Sequence, residues 1–316
     1  MAKVIFPFFR YSRGIIVAGV GLVATTTEQC IGPCCIVDCY PLLCTLKKIM
    51  IMIKSLSHKK GRISYAVYGE GKPVLFIHGF AEDSTIWQNQ VTRFREEYKL
   101  IVPDLPGSGK SDFIPEVFSM DDHAEMLEQL LTEEKIDDAI IIGHSMGGYI
   151  SMAFAEKYPE KLSRLCLFSS SAAADTEERK ESRRKSIQFI KQNGALKFLQ
   201  QATPNLFSDF TKEKNPDLVQ EIINRYSNFN PNSLVHYHEA MIQRPDRTEV
   251  LRKIAKPVMI IAGERDQTIP LKISQEQSYL PELSYFRTLT NSGHMGMLEE
   301  PGNSNLFLEK ILEETL

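Results

Sequence analysis

Three residue types, widely spaced along the chain, have the chemistry for acyl transfer. Ser145 stands in Gly143-His144-Ser145-Met146-Gly147, directly after the apolar run Ala139-Ile140-Ile141-Ile142 and directly before a helical pattern. In this G-x-S-x-G arrangement a sharp strand-to-helix turn lifts the serine hydroxyl clear of a sheet. Gly143 and Gly147 are demanded there because a Cβ at either position would collide with the turn. A serine is a poor nucleophile at neutral pH, so it needs a base, and the base needs an orienting acid. Asp266 follows the strand-like residues 257–262, and His294 follows a second such run at 283–289. Glu264, two residues earlier, is the rival acid. Ser145, Asp266 and His294 occur in one of the several chain orders in which such a triad is found. Upstream, residues 73–77 lead into His78-Gly79-Phe80, where a backbone N–H can face a substrate carbonyl while His78 shapes the turn.

The elements needed to position these groups are written in the apolar pattern. Short continuous apolar runs at 74–77, 100–102, 139–142, 165–168 and 258–262 predict buried parallel strands. Helical patterns between them argue for a mostly parallel sheet covered on both faces. Every candidate residue then lies just past the C-terminal end of a strand, where open α/β sheets place their sites. Residues 62–67 alternate polar and apolar and predict an edge strand, antiparallel to the rest or in a hairpin. Ser119 and Asp122 form a capping box, followed by one apolar helical face from Met126, Leu127, Leu130 and Leu131. From about 175 to 249 the rhythm breaks: the interval exceeds a normal connection, reads as helices, and holds Phe207, Phe210, Tyr226, Phe229 and Tyr237.

From about residue 62 onward the chain resembles the α/β-hydrolase family, in four motifs taken in order. These are His78-Gly79-Phe80, the turn Asp104-Leu105-Pro106-Gly107-Ser108-Gly109-Lys110-Ser111, the serine elbow, and Gly293-His294 followed by Glu300-Pro301. The resemblance implies an α/β fold, a mostly parallel sheet with helices on both faces and a helical lid inserted at about 175–250. It further implies Ser145 as nucleophile, His294 as base, and the Phe80 and Met146 amides as oxyanion hole. Asp266 is the implied acid, because the family places the acid three residues after the glycine and before a proline such as Pro270. Members with dehalogenase or epoxide hydrolase activity carry Asp at the elbow, whereas this chain has Ser. Members that cleave carbon–carbon bonds often have Asn where His144 stands. The expected activity is therefore cleavage of a carboxylic ester, thioester or lactone of a small-molecule acyl substrate, with no metal or organic cofactor. Carbon–carbon hydrolysis or acyl transfer on the same triad is the alternative. A ligand-sensing homologue that signals through a protein partner is the alternative of another class.

At 316 residues and a net charge of −3, the chain lacks the clustered basic surface that nucleic acid requires. The one basic cluster, Arg179-Lys180 with Arg183-Arg184-Lys185, is interleaved with glutamates and reads as a solvated helix face. Residues 1–51 stand outside the hydrolase pattern, which is assigned to 52–316. They begin with Lys3, Arg10 and Arg13 and an apolar stretch at 14–24, and hold five of the six cysteines. Three readings fit them: a mis-assigned start, an export or anchoring signal, or a folded extension. The absence of a disulfide framework beyond them suits a reducing, cytoplasmic compartment, with export or anchoring through 1–51 as the alternative. Membrane contact is expected only if that segment is retained, and oligomeric state is not written in the sequence. The run 104–111 imitates a phosphate-binding loop but has Asp104 where glycine is needed. Gly19 to Ala24 imitates a dinucleotide fingerprint without a preceding strand. His236 and His238 lack a carboxylate companion at ligand spacing and read as surface histidines.

Overall fold

Runs of Ile, Val and Leu without charge have their lowest free energy on a sheet that is covered on both faces, and they occupy such a sheet here. The computed structural model describes residues 51–58 and 60–313, together with the strands Pro7–Ser12 (β1) and Ile15–Val20 (β2). The chain divides into two units, Met1–Leu46 and Lys47–Leu316. In the first, β1 pairs antiparallel with β2. The remainder of the signal-like stretch and Cys30, Cys34, Cys35, Cys39 and Cys44 lie outside the described residues.

The second unit is built on eight strands: β3 (Ile51–His58), β4 (Gly61–Tyr68), β5 (Lys72–Ile77), β6 (Tyr98–Pro103), β7 (Ala139–His144), β8 (Leu162–Phe168), β9 (Val258–Gly263) and β10 (Ser284–Leu289). Their order across the sheet is β10-β9-β8-β7-β5-β6-β4-β3. All neighbours are parallel except β4, which runs antiparallel to both β6 and β3. Residues 62–67 are therefore antiparallel in a hairpin, as expected, but they are not the edge. The edge is β3, which pairs Ile51 with Tyr68 and His58 with Gly61. The hydrolase unit thus includes Ile51 and reaches ahead of the boundary read from the sequence. Only Leu56 of its eight residues is buried, so its apolar pattern is faint.

Helices α1 (Gln88–Phe94), α2 (Met120–Glu133) and α3 (Met146–Lys157) join successive strands, and α2 begins with the Ser119–Asp122 capping box. Between β8 and β9 come α4 (Glu177–Ala202), α5 (Asp209–Lys214), α6 (Pro216–Arg225), α7 (Pro231–Gln243) and α8 (Thr248–Lys253). Of these, α8 packs on α3 against the sheet, so the helical insertion is α4 to α7 and ends near residue 243. Helix α4 is bent at Gly194, whose φ of +82° lies in the left-handed region. Helices α9 (Leu271–Ser278), α10 (Gly296–Glu299) and α11 (Pro301–Leu312) follow. Two apolar cores result. One contains Leu127, Ile141 and Phe154; the other joins Trp87, Phe94 and Leu308 to insertion residues such as Phe198 and Ile222. Among the described residues no helix is long and apolar enough to cross a membrane.

The basic cluster on α4 is only partly a solvated face. Lys180 and Arg184 pair with exposed glutamates, but Arg183 turns inward to Asp175 at 2.6 Å, and Arg179 reaches the same carboxylate. Their target, buried at the base of the insertion, could not be seen from helical periodicity.

Candidate active site

Ser145 sits between β7 and α3 with φ 50° and ψ −114°, a conformation that non-glycine residues avoid. The neighbouring glycines allow the turn. A Cβ on Gly143 would fall 2.4 Å from the Gly147 carbonyl oxygen, and one on Gly147 would fall 2.3 Å from that of Ile77. The Ser145 N–H donates to the Phe168 carbonyl at 3.0 Å, and the Ser170 hydroxyl donates to the Ser145 carbonyl at 2.7 Å. Strained backbone is thus held from both sides, leaving the half-buried hydroxyl presented.

His294 meets that hydroxyl: its Nε2 lies 2.8 Å from Ser145 Oγ, and its Nδ1 lies 2.7 Å from Asp266 Oδ2. A carboxylate only accepts, so Nδ1 carries the proton and Nε2 offers its lone pair to the hydroxyl. The other oxygen of Asp266 accepts the N–H groups of Thr268 and Ile269 at 2.7 and 2.9 Å, which fixes the carboxylate. Asp266 and His294 are buried, while Glu264 faces solvent. The arrangement can take a proton from Ser145 and return it to a leaving group. Met146 is the first residue of α3, so its N–H has no acceptor within the helix. Phe80 follows β5, against whose last carbonyls Gly147 packs. Among the described residues no cluster of His, Cys, Asp or Glu could hold a metal ion.

His78 is fully buried. Leu105 N–H donates to its Nε2 at 3.0 Å, so the ring is protonated on Nδ1, which donates to the Gly79 carbonyl at 2.8 Å. It therefore ties the Phe80 loop to the turn after β6. That turn is structural: Asp104 accepts the N–H groups of Ser84 and Lys110, and Ser108 meets the Tyr237 hydroxyl of the insertion at 2.7 Å.

A family model for the alpha/beta hydrolase fold matches residues 72–301. The chain belongs to the α/β-hydrolase fold family. Within it, this chain is 24% identical over 255 residues to 3-oxoadipate enol-lactonase 2 of Acinetobacter baylyi, covering 79% of this chain and 93% of that one. A thermophilic esterase from Thermogutta terrifontis superposes with a TM-score of 0.77 at 28% identity, over 83% of this chain and 98% of the esterase. An uncharacterized protein of Mycobacterium tuberculosis is 34% identical over only 108 residues, which is 34% of this chain and about a third of its own length.

Two further carboxylates, unmarked by any local pattern in the sequence, hold these loops. Glu82 is buried and accepts the Gly79 N–H at 2.7 Å and His144 Nδ1 at 3.1 Å. The other nitrogen of His144 lies 3.1 Å from the His294 carbonyl. Both partners of this fully buried ring are acceptors, so both nitrogens donate and His144 is an imidazolium. Burial opposes its charge, but the Glu82 carboxylate outweighs burial and raises the pKa above the ordinary 6.5. Burial likewise opposes the charge of Glu82, and His144 with the Gly79 N–H turns the balance, lowering its pKa. The pair thus links the Phe80 loop, the elbow and the His294 loop. Glu299 works on the far side: it accepts the N–H groups of Gly293, Met295 and Ser208 and the hydroxyl of Thr211, at 2.9, 3.1, 2.9 and 2.7 Å. Glu300 accepts the Asn291 N–H and the Ser292 hydroxyl. The family motif pointed to Glu300-Pro301; nothing local in the sequence marks Glu82 or Glu299, whose partners lie on other elements.

Proposed function

We propose that this chain is a serine hydrolase that cleaves a carboxylic ester, thioester or lactone through an acyl-enzyme. The observation that carries the reading is the continuous hydrogen-bonded line from Asp266 through His294 to Ser145 Oγ. His294 Nε2 removes the hydroxyl proton as Oγ forms a bond to the acyl carbon. Asp266 keeps the imidazole in the needed tautomer and stabilises its cation. The Met146 and Phe80 amides receive the developing oxyanion, each contributing about 3 kcal/mol at the transition state. The tetrahedral intermediate then expels the alkoxide or thiolate, which takes the proton from His294. Water attacks the acyl group in the same way, with His294 again as base and then as acid, and Ser145 is restored. The relatives named as an esterase and an enol-lactonase act in this chemical range, which supports ester or lactone cleavage.

Turnover of short p-nitrophenyl esters tests the reading, with a fluorophosphonate label mapped by peptide analysis to Ser145. Ser145→Ala should abolish labelling and lower kcat by roughly a million-fold, and adding His294→Ala should cost little more, because the triad acts as a unit. A Ser145→Ala variant with more than about a tenth of wild-type activity would refute it. Many turnovers per label separate an enzyme from a sensor that stalls after one.

A further inference from the structure

His238 lies on the inner side of α7 rather than on the surface expected from its sequence, with only 5% of its area exposed. Among the described residues neither Nδ1 nor Nε2 has a hydrogen-bond partner. The ring lies 4.5 Å, centroid to centroid, from that of Phe80 and edge-on to Phe198 at 5.8 Å. Phe80 in turn meets Phe198 and Tyr237. The imidazole is thus set in an aromatic wall, one ring away from the loop that abuts the serine elbow.

Burial, helped by the positive charge of Arg183, pushes the pKa of His238 down to about 3. The ring is therefore neutral near pH 7, with one N–H to donate and one lone pair to accept. Buried polar atoms are nearly always paired, and leaving both nitrogens of one ring unsatisfied disfavours folding until a partner arrives. We propose that His238 is a polar contact for the acyl chain of the substrate, hydrogen-bonding an oxo or hydroxy oxygen on it. The inference rests on the serine hydrolase reading and adds the substrate class. An uncharged oxygen fits better than a carboxylate: Arg183 and Arg244 are engaged by Asp175 at 2.6 and 2.9 Å, and the imidazole brings no countercharge. The two flanking phenylalanines suit the aliphatic remainder of the chain.

The test compares p-nitrophenyl 3-hydroxybutyrate with p-nitrophenyl butyrate, using the full-length protein and its His238→Phe and His238→Leu variants. Wild type should favour the hydroxy ester, and both variants should lower the ratio of the two kcat/KM values by about 10- to 100-fold. Both variants should also melt at a higher temperature than wild type, since they remove the unsatisfied nitrogens. An unchanged ratio overturns the proposal. So does a lower melting temperature in both variants, which would mean that the nitrogens already hold an ordered water or other structural partner. Fluorophosphonate labelling of Ser145 keeps the two hypotheses apart. Labelled enzyme that hydrolyses both esters without the change in ratio defeats this inference alone; loss of labelling and of all turnover in wild type defeats the hydrolase reading, and this one with it.

Discussion

The hydrogen bonds around His294 sort two acids that are two residues apart. Asp266 is buried and spends one oxygen on His294 and the other on backbone N–H groups, whereas Glu264 points to water. Asp266→Asn should retain the fold yet favour the wrong tautomer of His294, lowering kcat by about ten-thousand-fold. Glu264→Gln should leave kcat within about threefold on the same scale. Steady-state kinetics on one ester decides between them. The His144–Glu82 pair predicts a dependence of stability on pH. The raised pKa of His144 contributes stability that is full below the ordinary 6.5 and is lost as pH rises through the folded value. The lowered pKa of Glu82 contributes stability that is full above the ordinary 4.5 and is lost as pH falls through its folded value. The pair therefore helps most between those two values. Urea melts of wild type and Glu82→Gln should differ more at pH 5.5 than at pH 9, with wild type the more stable.

At the scale of elements, the loop bearing His294 belongs as much to the insertion as to the sheet. The His294 N–H donates to the Leu206 carbonyl at 2.7 Å, and Glu299 spans the His loop and the start of α5. Removing that carboxylate strands three N–H groups and a hydroxyl. Glu299→Ala should destabilise the protein by about 3 kcal/mol, and displacement of the imidazole should lower kcat by up to about a hundredfold. Thermal melts and kcat measured on the same sample check both. Strands β5 to β9 could be read from the sequence because each holds an unbroken apolar run, and the places of Ser145 and Asp266 because each follows one; β10, ahead of His294, was legible only as the strand-like run 283–289, since Ser284, Arg287 and Thr288 interrupt it. The faint strand β3 could not be read, since it has one face on the body and little buried surface. Glu82, Glu299 and the inward turns of Arg183 and His238 were equally hidden, because their meaning lies in partners contributed by other elements.

For the whole molecule, the described boundary at residue 47 makes a direct prediction about the preceding segment. A chain beginning at Lys47 keeps all eight strands and should retain kcat within about twofold of the full chain, as expected when every acting group is preserved. A chain beginning at Gly61 loses β3 and the Lys54 ammonium, 2.7 Å from the Glu134 carboxylate that also holds Tyr65 and Lys99. It would expose the backbone groups of β4 as an unpaired edge and should aggregate. Size-exclusion chromatography with ester assays distinguishes these outcomes.

The bond between Leu206 and His294 also bears on recombining this protein with its relatives. An insertion exchanged as one cassette, cut near residues 176 and 243, would remove the native backing of His294 and replace it with a foreign one. A smaller cassette, ending at Ala202, would transplant α4, which carries Phe198, while Leu206, Ser208 and Thr211 stayed in place. Chimaeras with the second seam should keep turnover and, with His238 unchanged, the native preference that it sets; those with the first should lose up to about a hundredfold in turnover until they acquire a matching partner for Glu299.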